Sequence, residues 1–334
     1  MKARTLVGTL VLAVVVGTMA ADASATVRRE NNVMQQLFGA GNPAGVGLRQ
    51  ATLAPILALN YRMDGLANMQ AAAMEADAPP PPADAPGGWF NDPIPFFEYH
   101  YGSNRDRRTG GLDTDLNGGT VGMTFRSIDD IIVGLMYDYT YGTGVGPGQV
   151  DNDMDTNSFT FFLSKNVDLL YFGSSFTFSD TNIRTRAGGA GRRTVVDANT
   201  FVLAPYVGVA AFQQGPLTAY STLTMVWRWQ QFNYNRNIAS DDSSDGTLVL
   251  MNRADYAMSD QCIVTGIFDW NRVLQEEYTN IAPLEDPDHC WFTLGGKVRY
   301  YLTKNLELYA QYTADVGNES YENHAVNLGL SFSF

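Results

Sequence analysis

Only two cysteines, Cys262 and Cys290, occur in 334 residues. That is too few for a disulfide framework in a chain of this length. Lysine is scarce, and acidic residues outnumber basic ones 35 to 22, giving a formal net charge of -13. Such a balance lacks the basic footprint of nucleic-acid binding, so nucleic acid is not an expected partner. No apolar run approaches the roughly 20 residues that a membrane-spanning helix requires. Neither a G-x-x-x-x-G-K phosphate loop nor an H-E-x-x-H zinc motif is present, and no cofactor is expected.

The first residues supply a compartment. Lys2 and Arg4 precede an apolar run from Leu6 to Val16, and Ala23, Ser24 and Ala25 form a small-residue cleavage site. This pattern predicts a cleaved secretory signal peptide over 1–25. No cysteine follows the run, so a lipoprotein anchor is not expected. An exported chain without a spanning helix is periplasmic, secreted or a β-barrel in the outer membrane.

The last residues favour the barrel. Val326, Leu328, Leu330, Phe332 and Phe334 alternate with Ala325, Asn327, Gly329, Ser331 and Ser333. Successive side chains of a strand point to opposite faces, so this segment has one apolar face and one of small or polar groups. The same period of two runs from Pro93 onward. It predicts twelve strands, near 94–102, 116–126, 130–142, 154–165, 168–180, 198–213, 216–232, 246–257, 261–274, 290–302, 305–316 and 323–334. Each is long enough for a tilted spanning strand of about 9–11 residues. The expected fold is all-β: an antiparallel up-and-down transmembrane barrel over 93–334.

Residues 26–92 read differently. Ile56, Leu59, Met63 and Leu66 follow helical spacing and predict a short helix over 54–76. Pro79 to Pro82, then Pro86, Gly87 and Gly88, make a stiff linker over 79–88. The segment is either a periplasmic tail or a helix lodged in the barrel lumen.

Connections between the predicted strands alternate in length. Short turns are expected around 127–129, 166–167, 214–215, 259–260 and 303–304, and long polar loops at 103–115, 143–153, 180–197, 233–245, 275–289 and 317–322. Outer-membrane barrels have short periplasmic turns and longer outer loops. In that orientation Tyr99, Tyr101, Tyr139, Tyr141, Phe176, Phe178, Trp227, Trp229, Trp270 and Phe292 fall near the outer ends of their strands. Phe125, Tyr300, Phe332 and Phe334 fall near the inner ends. Aromatic rings concentrate at both membrane interfaces.

Val121, Met123, Leu135, Phe159, Phe161, Leu163, Leu294 and Val298 predict a lipid-facing surface. Opposite positions hold Glu98, Arg126, Asp138, Arg228, Asp269, Lys297, Arg299, Glu307 and Asp315. Charges of both signs are costly in lipid, so they predict a lumen of mixed charge. Pro205 is expected to mark a bulge or an edge, because it cannot donate to the ladder. The eighth strand, with Arg253 and Asp255 near Leu250 and Met251, alternates weakly. Cys262 and Cys290 are expected at opposite ends of neighbouring strands, too far apart to be bridged.

The segment Gly111 to Gly144 resembles the autotransporter β-domain, the translocator barrel of type V secretion. Asp113, Asp115, Gly119, Gly122, Arg126, Asp129, Gly134 and Tyr137 occupy the places of that family's early hairpin. The ending Asn327 to Phe334 is similar to its last strand. The resemblance implies that Leu328, Leu330, Phe332 and Phe334 form a signal for barrel-assembly machinery, which becomes an expected partner. Only 67 residues lie between the signal peptide and residue 93, against the long passenger typical of the family. A stand-alone structural or translocator-like barrel of a Gram-negative outer membrane is therefore the expected function. A passive, porin-like channel for small solutes is the alternative.

Catalysis is not expected. His100 and Ser103 are three residues apart, where the outer-membrane phospholipase pattern places histidine and serine two apart, which leaves a lipid hydrolase remote. Asp151, Asp153 and Asp155 alternate as in a calcium loop, but Thr156 and Phe162 occupy its glycine and glutamate positions, so no metal is expected. Arg105, Arg107 and Arg108 in the first outer loop and Arg184, Arg186, Arg192 and Arg193 in the third form two basic clusters. Guanidinium forks suit phosphate, so outer-membrane lipid and lipopolysaccharide are expected contacts.

Overall fold

A computed structural model describes residues 91–106, 112–126, 131–146, 150–167, 169–186, 193–234, 241–278, 290–303, 305–317 and 321–332. The expected signal peptide, 54–76 helix and 79–88 linker lie outside these residues, as do Phe334, Arg107, Arg108 and Arg192. The period of two becomes twelve strands: β1 (Asn91–Asp106), β2 (Leu112–Arg126), β3 (Ile131–Gly146), β4 (Val150–Val167), β5 (Leu170–Arg186), β6 (Arg193–Gln214), β7 (Leu217–Tyr234), β8 (Asp241–Ser259), β9 (Cys262–Tyr278), β10 (Cys290–Thr303), β11 (Leu306–Val316) and β12 (Tyr321–Phe332). Each pairs antiparallel with the next, and β1 closes on β12 through a register that sets Phe96 against Ser331 and Asp106 against Tyr321. Closure removes every sheet edge and pairs the backbone within the wall.

The strands run further outward than their apolar alternation predicts. Segments read as outer loops continue the ladders: β1 and β2 pair to Asp106 and Leu112, and β3 and β4 to Gly146 and Val150. Polar cross-strand contacts hold these extensions. Tyr101 donates to Asp115 at 2.7 Å, Tyr139 to Asp155 at 2.8 Å, and Arg105 reaches Asp113 at 3.4 Å. Hydrophobic periodicity cannot detect a strand that is polar on its exposed face. One consequence corrects the expected alternation of connections at one place: three residues separate β3 from β4, fewer than the four between β2 and β3 at the inner end. At the inner end, Gly215 has φ of 56°, a left-handed conformation that favours glycine at the β6–β7 turn.

Pro205 marks neither a bulge nor an edge. β6 pairs continuously with β5 past it, while the ladder to β7 omits Ala204 and Pro205 and resumes in the same register. The gap lies where the pyrrolidine has no N–H to give. The weak alternation of β8 has a local cause: Gly246, Thr247, Leu248 and Val249 are buried in succession, beside a shift in the β8–β9 register. Cys262 and Cys290 are both free, at opposite ends of the β9–β10 hairpin.

Inside the wall, rings lie over glycines on the neighbouring strand. Phe96 faces Gly122, His100 Gly118, Phe162 Gly134, Tyr171 Gly208, Tyr206 Gly173 and Tyr309 Gly329, each as a direct register pair. A Cβ at any of these glycines would overlap the ring opposite. Eight strands are thus locked in register by side chains that fit only where the partner has none.

The barrel lumen as candidate functional site

The alternation sorts the side chains between lipid and lumen. Leu135 and Phe159 are 56% and 59% exposed on the outer surface, while Asp138 and Phe162 are 0% exposed inside. On β6 the outward apolar row runs from Phe201 to Val209, about 26 Å of strand and roughly 20 Å of height at a tilt near 40°, close to the ~25 Å lipid band of such barrels. Tyr99, Tyr139, Tyr141, Phe176, Trp227, Trp229 and Phe292 rim this band on one side, and Tyr300 and Phe332 on the other.

The lumen wall divides into contrasting sectors. From β7 to β10 it is ionic. Asp255 accepts from Arg299, from Tyr220 and, at 2.5 Å, from Thr265. Arg253 forks onto both oxygens of Asp269, and Arg228 onto Asp245. Across β11, β12 and β1, Tyr309 donates to Glu98 while the Lys297 ammonium lies 4.1 Å from the centre of the Tyr309 ring. Further round, Asp138 accepts from Thr120 at 2.7 Å and Thr140 at 2.9 Å, with the His100 ring 3.5 Å away. β4 and β5 then face each other through hydroxyl pairs: Thr156 with Thr181, Ser158 with Ser179 and Thr160 with Thr177, at 2.7–3.0 Å.

Two apolar patches interrupt this lining. Val202, Ala204, Val226, Val249 and Met251 form one across β6–β8, each at most 4% exposed. Phe96, Ile132, Met136, Phe162, Tyr171 and Tyr206 form the other. Among the described residues, no three His, Cys, Asp or Glu side chains converge as metal ligands.

Of the charges expected in the lumen, Glu98, Asp138, Arg228, Asp269, Lys297 and Arg299 are buried, and Glu307 and Asp315 are half-buried on the same face. Arg126 occupies the last position of β2. Sequence reasoning missed Asp245, which it placed in a loop, and the roles of Asp255, Tyr220 and Tyr309, whose partners are remote in the chain. His100 and Ser103 lie on opposite faces of β1, so they do not converge.

No family profile matches the chain, and no curated protein matches it in sequence. Solved structures do match. The translocator domain of the autotransporter NalP from Neisseria meningitidis superposes over 85% of this chain and 99% of its own, with a TM-score of 0.63 at 13% identity. The β-domain of the Bordetella autotransporter BrkA matches over 73% and 100%, with a TM-score of 0.56 at 15% identity. The transport unit of AIDA-I from Escherichia coli matches over 80% and 97%, at 0.54 and 10%. The fold is autotransporter β-domain-like.

In this autotransporter β-domain-like fold the remaining expected sites fall near the two ends. Leu328, Leu330 and Phe332 lie on the outward face of β12. Arg105, Arg184 and Arg186 lie at the outer ends of β1 and β5, and Arg193 begins β6. Arg105 and Arg184 are not isolated cations: Asp113 and Asp155 each sit 3.4 Å from them.

Proposed function

We propose that the protein is an integral outer-membrane barrel, exported through its signal peptide, that serves as a stand-alone translocator-like or structural barrel with an occupied lumen. The apolar patch of Val202, Ala204, Val226, Val249 and Met251 on the inner wall carries this reading. A water-filled lumen would wet that surface at a cost of about 25 cal/mol for each Å². The segment over 54–76 has an apolar face, Ile56, Leu59, Met63 and Leu66, suited to cover it. Conductance of the refolded mature protein in a planar bilayer, beside a form lacking residues 26–92, tests the reading. Steady current from the shortened form alone supports an occupied lumen; equal conductance from both overturns it.

A passive channel is the second reading, favoured by the excess of acid on the inner wall. Glu98 and Asp315 are held by neutral donors, which gives an open lumen a preference for cations. The outer arginines are proposed contacts for lipid phosphate, and the outward residues of β12 for barrel-assembly machinery. Loss of lipopolysaccharide co-purification in Arg105→Glu/Arg184→Glu, and slowed assembly in Phe332→Ala, are the expected results.

A further inference from the structure

The outer mouth between β9 and β1 carries a continuous chain of neutral hydrogen-bonding groups around one carboxylate. Asn271 donates to Thr293 at 3.1 Å, Thr293 donates to one oxygen of Asp315 at 2.6 Å, and Asn323 donates to the other at 2.9 Å. Asn104 is the direct register partner of Asn323. Five strands thus contribute to one row near their outer ends. Trp291 pairs with Asn271 and shares the inward face of β10 with Thr293 and Lys297, so its indole stands beside the row.

Two features mark this row as a receptor and not only as a brace. Asn104 is 5% exposed, yet its Oδ1 has no hydrogen-bond partner among the described residues. Buried acceptors are normally satisfied, and this one has under 1 Å² of accessible surface, so a donor from outside the wall meets it once the amide turns toward the mouth. Asp315 has two oxygens with about four lone-pair sites, and its two donors above leave capacity for more. The strands are also short here: β10, β11 and β12 have 14, 11 and 12 residues, against 17–22 in β4 to β9. Thr293, Asp315, Asn323 and Trp291 are half-buried, which leaves the row approachable from the mouth.

We infer that this row is a binding site for a neutral oligosaccharide. Vicinal hydroxyls of a hexose can donate to Asp315 and Asn104 while accepting from the amides, and the C–H face of the ring can pack on Trp291. None of the six residues is a cation, and Asp315 disfavours an anionic sugar. The inference goes beyond the barrel's proposed role and holds whether the lumen is occupied or open, because the row lies at the mouth.

The test is calorimetric titration of the refolded mature protein with maltohexaose, in amine-oxide micelles so that no glycoside detergent competes. Trigalacturonate serves as the anionic comparison. Saturable binding of maltohexaose is expected, weakened about tenfold or more by Trp291→Ala and by Asp315→Asn, the effect of losing one strong partner. Trp291→Phe, which keeps an aromatic face, should retain most of the affinity, and heat-modified gel mobility identifies variants that still fold. Absence of saturable heat in the millimolar range would overturn the inference. So would unchanged affinity in a folded Trp291→Ala, or tighter binding of trigalacturonate.

Discussion

Removing the Asp255 carboxylate should destabilise the barrel more than any single surface change. Its side chain is 7% exposed, that of Arg299 is 3% exposed, and Tyr220 and Thr265 donate to the same carboxylate. Asp255→Ala therefore leaves a buried guanidinium without its counter-ion and two hydroxyls without their acceptor. Breaking a buried pair by deleting one partner costs about 3–5 kcal/mol. Each orphaned hydroxyl adds up to about 1–3 kcal/mol where no water replaces the acceptor. Replacing both partners, as Asp255→Leu/Arg299→Met, removes the charge with the pair and should recover most of the loss, because apolar replacements of buried pairs are often neutral. Denaturant unfolding in micelles, followed by tryptophan fluorescence for the two single variants and the double variant, measures the coupling. A cost below about 1 kcal/mol for Asp255→Ala, the range of a solvent-exposed pair, would show that the inner wall is wet and would refute the reasoning. So would a double variant whose loss equals the sum of the singles.

Other outcomes follow from the packing. Gly134→Ala drives a methyl group into the Phe162 ring and should cost about 1–3 kcal/mol, the usual penalty of overpacking, with partial recovery in Gly134→Ala/Phe162→Leu; thermal unfolding measures both. Leu135→Arg places a charge on the lipid face and should cost up to about 2–4 kcal/mol, read as a lower refolding yield into vesicles; an unaffected yield would contradict the outward assignment of Leu135. Asp113→Ala removes only an exposed partner of Arg105 and should change stability by less than about 1 kcal/mol in the same unfolding assay.

The barrel was legible because its lipid face repeats every two residues, and β12 shows this within one segment: Val326, Leu328, Leu330 and Phe332 against Ala325, Asn327, Gly329 and Ser331. The outer strand extensions were not, because residues such as Asp153, Asp155 and Arg184 look like loop composition until a neighbouring strand supplies their partners. Much of the lumen charge could be read from parity alone. Its pairing could not: Tyr309 and Glu98 are 211 residues apart and Arg299 and Asp255 are 44 apart, so register, not local pattern, brings them together. Asp245 was hidden by the Ser and Asp run at the start of β8, and the ring-over-glycine pairs by the same dependence on register.

The cysteines offer a direct test of the barrel and its orientation in the outer membrane. Cys290 is exposed at the outer end of β10, and Cys262 follows the inner β8–β9 turn. In single-cysteine variants expressed in intact cells, a membrane-impermeant maleimide should label Cys290, and Cys262 only after the outer membrane is opened. Labelling of Cys262 in intact cells, or of neither residue until the membrane is breached, would contradict an outer-membrane barrel with its short turns facing the periplasm.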